Sequence, residues 1–436
     1  MKISLLSLFV AITMQGLHAA TPMAEIQSLT ERQSASLLQL YTHLHLNPEL
    51  PLHEVKTSER IAKELEGAGY TVTRNIGGHG LVGVLKNGDG PVVMVRTDLD
   101  GLPVIEETGL SYASQVRSKD SQGREVGVMH ACGHDIHMTS FVGTARLLSQ
   151  LRQHWRGTLL MVGQPAEELS TGSKAMLADG IFKRFPVPNY ILALHSDAGL
   201  AAGKVRVRIG DALAGTDNLD LTIRGVSGHG AYSYTTKDPI VLASQTVLAL
   251  QTIVSREIPA VDAAVVTVGS IHGGTKHNII PDEVRLEMTV RYYSDAIRER
   301  ILASITRIAN GVAMASGVPP NRQPVVKLRE AESIPPVYNE PVLTGRVVSS
   351  MEGILGKEHV LVADQVMGGE DFGVFGRTPE KLPICLFWLG TVAPEKLSAG
   401  APLPSLHSSR FAPLPGPAIQ TGVKAMSTAV LGLFAK

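Results

Sequence analysis

Only two cysteines, Cys132 and Cys385, stand in a chain of 436 residues. That is too few for the disulfide framework that staples small secreted domains. Net charge is equally scarce. Forty basic side chains are matched by forty acidic ones, so no field exists to gather nucleic acid or an anionic membrane, and no nucleic-acid partner is expected. Low-complexity tracts and collagen-like periods are missing, while apolar residues reach 44%, which removes disordered, fibrous and coiled-coil readings. No apolar run reaches the roughly 20 residues that a membrane-spanning helix needs, so no stable membrane insertion is expected. At roughly 150 residues per domain, the length allows two or three domains.

The first residues ask for separate treatment. Lys2 precedes an apolar stretch over 3–14, and Leu17-His18-Ala19-Ala20 offers small residues for cleavage. The pattern predicts a signal peptide over 1–20 and a secreted or periplasmic mature protein. In such a compartment a reactive thiol needs burial or a metal to survive.

Beyond residue 20 the pattern is α/β with an interruption. Helical spacing runs over 24–46 and stops at Asn47-Pro48, and a second helix covers 57–66. Continuous apolar runs at 81–85, 92–95, 159–162, 190–194 and 384–389 alternate with helical patterns, which predicts a mostly parallel sheet covered by helices. Between them the order changes to strand, helix, strand, strand, helix, strand at 219–223, 240–254, 264–271, 284–292, 296–315 and 325–328. That βαββαβ order predicts an inserted ferredoxin-like α+β domain. The expected division is 21–213 with 334–436 as one domain and 214–333 as the insert.

In open α/β sheets the site lies beyond the carboxyl ends of the strands. Three apolar runs are followed there by polar residues: Arg96-Thr97-Asp98-Leu99-Asp100, Gln164-Pro165-Ala166-Glu167-Glu168, and His195. A fourth group, His130-Ala131-Cys132-Gly133-His134-Asp135 with His137, precedes the helical run 138–151. Three histidines, a cysteine and an aspartate within eight positions rarely serve packing. They are the ingredients of a transition-metal site with mixed nitrogen and sulfur donors. His137, one turn beyond His134, fits an orienting role as well as a capping or packing one.

At these residues the chain resembles a known family. HACGHD from His130, RTDLDGLP from Arg96, QPAEE from Gln164 and EDF from Glu370 are similar to motifs of the dinuclear metal-dependent aminoacylases and carboxypeptidases, in the branch of hippurate hydrolases and auxin-conjugate amidohydrolases. The likeness runs from LHLNPELPLHE near Leu44 to PSLHSSRF near Pro404. It implies that Cys132, His134, Glu168, His195 and His407 bind two divalent metal ions (Mn, Zn, Co or Ni), that Glu167 is the general base, and that Asp100 supports the ligands. It further implies that the insert is a lid and the surface of a homodimer, with His229, Asn278 and Arg291 contacting substrate. Where the branch commonly continues with proline and histidine, this chain has Ser233 and Tyr234.

The chemistry agrees with that likeness. A closed structural site needs four protein donors, and five candidates beside a spare carboxylate suit two metals and a base better. The expected activity is hydrolysis of the amide bond in N-acyl amino acids or short peptides. Two other readings remain open: a non-catalytic metal or peptide binding protein, and a hydrolase using Cys132 as nucleophile.

Overall fold

The structure, a computed structural model, describes residues 22–400 and 402–435. The expected signal peptide over 1–20 lies outside the described residues. Helices α1 (Pro22–Leu46) and α2 (Val55–Gly67) lead into strands β1 (Thr71–Ile76), β2 (Gly80–Asn87) and β3 (Val92–Asp98). Helix α3 (His134–Gln150), then β4 (Gly157–Gln164), β5 (Tyr190–Ala201) and β6 (Val205–Val207) follow. Next come β7 (Gly215–Arg224), α4 (Pro239–Thr252), β8 (Val265–His272), β9 (Glu283–Tyr292), α5 (Asp295–Ala315) and β10 (Val325–Leu328). The chain ends with α6 (Pro341–Leu355), β11 (Val360–Val362), β12 (Ile384–Val392) and α7 (Pro415–Phe434).

Eight strands form the large sheet in the order β1-β2-β4-β3-β5-β12-β6-β11. Its centre, β4-β3-β5-β12, is parallel. Antiparallel pairs occur at β1-β2, β2-β4 and β12-β6. The parallel strands read as unbroken apolar runs because alternate residues enter two different cores. Val93, Val95, Leu159, Leu192 and Phe387 pack with α1, α3, α6 and α7, while Met94, Leu160, Ile191, Ala193 and Trp388 pack on the other face. That second face is covered by short helices, Gly172–Ala178 and Ile181–Arg184, and the turn Asp371–Arg377, rather than by long ones. Cys385 is buried in the first core.

The second sheet has the order β8-β9-β7-β10, antiparallel throughout. With α4 and α5 it has the ferredoxin-like arrangement and its own core, including Leu219, Leu221, Leu250, Leu286 and Ile301. Asp238 caps α4 by accepting from the Ile240 N–H, with Pro239 in the first turn, and Ser294 caps α5 by accepting from Ile297 N–H. These caps fix where the two helices begin.

Candidate metal centre

The register of the large sheet brings the site together. In parallel pairing Asp98 lies opposite Gln164 and Arg96 opposite Ala193, while Trp388 lies opposite His195. The polar residues that follow each apolar run therefore meet at one edge. Helix α3 enters the same edge through Gly133, whose φ of +80° is left-handed and where a Cβ would stand 2.6 Å from Ser196 Oγ. Only glycine allows that close approach.

Two three-donor sets share one sulfur. Cys132, His134 and His195 form one; Cys132, Glu168 and His407 form the other. Cys132 Sγ is 3.5 Å from His195 Nε2, His134 Nε2 is 3.7 Å from Glu168 Oε1, and His407 Nε2 is 3.6 Å from Glu168 Oε2. Donors on one tetrahedral ion stand about 3.5 Å apart, given bonds of roughly 2.0–2.3 Å. His134 Nε2 and Glu168 Oε1 are buried with no hydrogen-bond partner. Unpaired polar atoms of that kind are costly, and a divalent cation would satisfy both.

The histidine tautomers favour the same arrangement. His134 Nδ1 donates to the Asp100 carbonyl at 2.8 Å and His195 Nδ1 donates to the Ser196 carbonyl at 2.8 Å. With Nδ1 so engaged, each ring turns its Nε2 toward the other donors. His137 differs. Its Nε2 accepts the Ser196 N–H at 2.7 Å while its Nδ1 donates to Asp98 Oδ1 at 2.8 Å. No lone pair is left for a metal, so His137 orients Asp98 and β5, and burial pushes its pKa down to about 4 despite Asp98.

Glu167 and Glu168 sit on a turn held by buried carboxylates. Ala166, in the left-handed region at φ +48°, donates its N–H to Glu54 Oε1 at 2.7 Å. Glu168 N–H donates to Asp100 Oδ2 at 2.9 Å. Behind them Arg96, fully buried, binds Gln164 Oε1, Asp98 Oδ2, Glu370 Oε1 and Asp371 Oδ1 at 2.9–3.1 Å. Glu167, Glu370 and Asp371 lie close enough for one oxygen of each to fall within 4.8 Å of the others.

This density of buried charge moves the titrations. Burial, then Glu370 and Glu168, hold Glu167 well above the usual carboxylate range. Burial raises Glu168 to about 7 although His134 pulls it down. Burial and Glu168 push the Cys132 thiol up, and burial lowers His407. Burial opposes charge on His134, but Asp98, Asp100 and Cys132 outweigh it and raise its pKa. A cation placed among these donors would reverse the Cys132 and His134 shifts.

A cavity of about 390 Å³ joins these residues to the second sheet. Cys132, Glu167, Glu168, His195 and His407 line one side, and Thr216, Asn218 and Arg291 the other. Arg291 donates to Thr216 Oγ1 at 2.5 Å, and among the described residues no acidic side chain pairs with it. His229 and Asn278 are not in that cavity. They lie at the short ribbon of Gly228–His229 and Ile279–Ile280, with His229 opposite Ile279 and Asn278 just before it, where Gly230 N–H donates to the Asn278 carbonyl. His229 is exposed there, and Tyr234 is 84% exposed.

Two supports had no assigned part in the sequence. Glu54 closes the LHLNPELPLHE stretch, and Ser196 follows His195. Both stand inside or beside recognisable motifs, which is the signal that could have singled them out.

Two donor sets sharing one cysteine sulfur, with a buried glutamate beside them, are what a hydrolase with a dinuclear centre requires. The comparisons with known proteins agree. Residues 94–429 match the family model for peptidase family M20/M25/M40. The N-acetylcysteine deacetylase of Bacillus subtilis (strain 168) is 33% identical over 369 residues, covering 83% of this chain and 89% of that protein. The IAA-amino acid hydrolase ILR1-like 2 of Arabidopsis thaliana is 34% identical over 347 residues, covering 78% and 74%. A solved Bacillus subtilis structure, described as a dinuclear metal binding peptidase from the M20 family, superposes with a TM-score of 0.75 at 28% identity, covering 93% of this chain and 99% of that one. The chain belongs to peptidase family M20/M25/M40 and is a hydrolase acting on amides.

Proposed function

We propose that the protein releases amino acids from N-acyl amino acids or short peptides, using two divalent ions held by Cys132, His134, Glu168, His195 and His407. The observation that supports this most is the pair of donor sets sharing Cys132, with Glu167 beside them. The ions, when bound, supply Lewis acidity that polarises the scissile carbonyl and acidifies water. Glu167, buried beside the donor sets, takes a proton from water and passes it to the leaving amine. Asp100 holds His134 and Glu168 in place. Arg291, without an acidic partner among the described residues, takes the substrate carboxylate through its planar fork of donors.

Segment 214–333 serves as the lid in this reading. His229 reaches the site of a second copy, and the protein is a homodimer through that segment. Exposed Val241, Leu248, Ile271 and Ile279 on the same part of the molecule support the pairing. The mature protein is secreted or periplasmic, on the pattern of residues 1–20. Metal candidates are Mn, Zn, Co and Ni, since Cys, His and Glu donors suit them.

Metal analysis of purified protein and a hydrolysis panel over N-acyl amino acids test the proposal. Near two metals per chain and release of free amino acid are expected. Cys132→Ser should lose metal. Insensitivity to EDTA with inactivation by a thiol alkylator would favour the cysteine nucleophile instead, although burial and Glu168 raise that thiol rather than activate it.

A further inference from the structure

The short helix Gly172–Ala178 starts from the Glu167–Glu168 turn and has no part in the chemistry above. It is held hard against that turn. Thr171 and Gly172 N–H both donate to the Ala166 carbonyl, at 3.4 and 3.2 Å, and Ser173 N–H donates to buried Asp371 at 3.0 Å. A Cβ at Gly172 would stand 1.6 Å from the Pro165 carbonyl oxygen, so only glycine lets the two backbones approach. The helix and the turn therefore form one piece.

Lys174 leaves this helix toward the second sheet. Its ammonium donates to the carbonyls of Glu330 at 2.8 Å, Ala331 at 3.0 Å, and Ser333. These carbonyls belong to the segment that leads the chain out of β10 and back toward the large sheet. An ammonium carries three N–H donors, and here all three are engaged. The same segment is bonded to the substrate side of the metal-site cavity. Ile334 and Thr216 exchange both backbone hydrogen bonds at 2.9 Å, and Thr216 Oγ1 accepts from Arg291. Asn218 donates to Glu332 at 3.2 Å, and its carbonyl accepts Arg329 N–H. Thr216, Asn218, Arg291 and Ile334 all line that cavity. A continuous path of hydrogen bonds thus runs from the Glu167–Glu168 turn through Lys174 and residues 330–334 to Arg291.

We infer that Lys174 is a positioning residue that fixes the span between Arg291 and the metal donors. The enzyme thereby selects N-acyl α-amino acids over their β-homologues, whose carboxylate lies one methylene farther from the scissile nitrogen. The inference rests on the amidohydrolase reading above, with Arg291 as the carboxylate contact. A planar guanidinium fork rewards a carboxylate in one position and orientation. Misplacement by about 1 Å costs on the order of 100-fold when the other end of the substrate is held. Without Lys174 the 330–334 segment loses its hold on the helix, Arg291 follows the longer substrate, and the discrimination falls. The Arg377–Asp295 pair, at 2.8 Å, also joins the large-sheet side to α5 but lies outside this path. It serves as the control.

The test takes the N-acyl α-amino acid best hydrolysed in the panel above and its β-homologue, with metal-loaded wild type, Lys174→Met, Lys174→Gln and Arg377→Met. The wild-type ratio of kcat/KM, α over β, should be at least about 30-fold. Lys174→Met should lower that ratio by about tenfold, and Lys174→Gln, which has two N–H donors for three carbonyls, by less. Both should keep two metals per chain, and Arg377→Met should leave the ratio within about twofold of wild type. A loss of packing alone would slow both substrates alike and leave the ratio unmoved. An unchanged ratio in both Lys174 variants overturns the inference, as does a wild-type ratio near one or an equal fall in Arg377→Met. No turnover of any N-acyl amino acid by wild type overturns the activity reading itself, and this inference with it.

Discussion

The edge of the large sheet and the open face of the second sheet both carry dense polar side chains, but they hold them differently. At the large sheet the carboxylates around Arg96 are buried and tied: Asp98 by Arg96 and His137, Asp371 by Arg96, Gln164 and Ser173 N–H. On the second sheet Asp220 and Glu287 pair with Arg285 and Arg329, whose side chains are 51% and 30% exposed. Arg291, at the cavity end of that face, has Thr216 alone as its side-chain partner among the described residues. Chemistry demands donors fixed to fractions of an ångström, and burial supplies this. Recognition tolerates slack, and an exposed face can change its side chains without unfolding the sheet.

The sharpest break in that comparison is Glu167→Gln. It should retain two metals and lower kcat by about 10²–10⁴, since only the base is removed; wild-type turnover would remove Glu167 from the mechanism. Arg96→Met comes next. It leaves Asp98, Glu370 and Asp371 facing one another without their cation and should cost ~3–5 kcal/mol in urea unfolding, whereas a loss below 1 kcal/mol would mean that the cluster is not tied as described.

His45 offers a pH test within the large-sheet region. Burial opposes its charge, but Asp135 and Glu106 raise its pKa to about 10. A raised histidine stabilises fully below its unfolded value near 6.5, and that gain is lost as pH rises toward 10. Wild type should therefore lose stability between pH 6.5 and 9.5, by an amount on the order of a few kcal/mol, and His45→Gln should lose much less. Arg291→Ala should raise KM about 10-fold to 100-fold with kcat nearly unchanged, the signature of a binding contact; a fall in kcat alone would move Arg291 into the chemistry. Asp220→Asn, on the exposed face, should change stability by under about 1 kcal/mol.

Much of this was legible before folding was considered. The runs 92–95, 159–162, 190–194 and 384–389 all fall in strands of the large sheet, because a strand buried on both faces has no polar alternation to blur it. The βαββαβ order matched almost residue for residue, since its helices carry clear caps and its strands alternate. Strands β6 and β11 were missed: with three residues each, they are too short for a pattern. Helix α7 was missed as well; it is buried around most of its circumference, which erases the amphipathic stripe.

The sequence by itself determined the chemistry's ingredients, because metal donors are few in kind and cluster in short motifs at strand ends. It also determined the two sheet types, through periodicity. Tertiary structure alone decided what engages each of these histidines. His134 and His137 are three residues apart on one helix, yet only His137 has both nitrogens engaged, by Asp98 and Ser196 from two other strands. It alone placed Arg96 on Asp371, 275 positions away. Such partners are set by register and packing between distant segments, which no local pattern records.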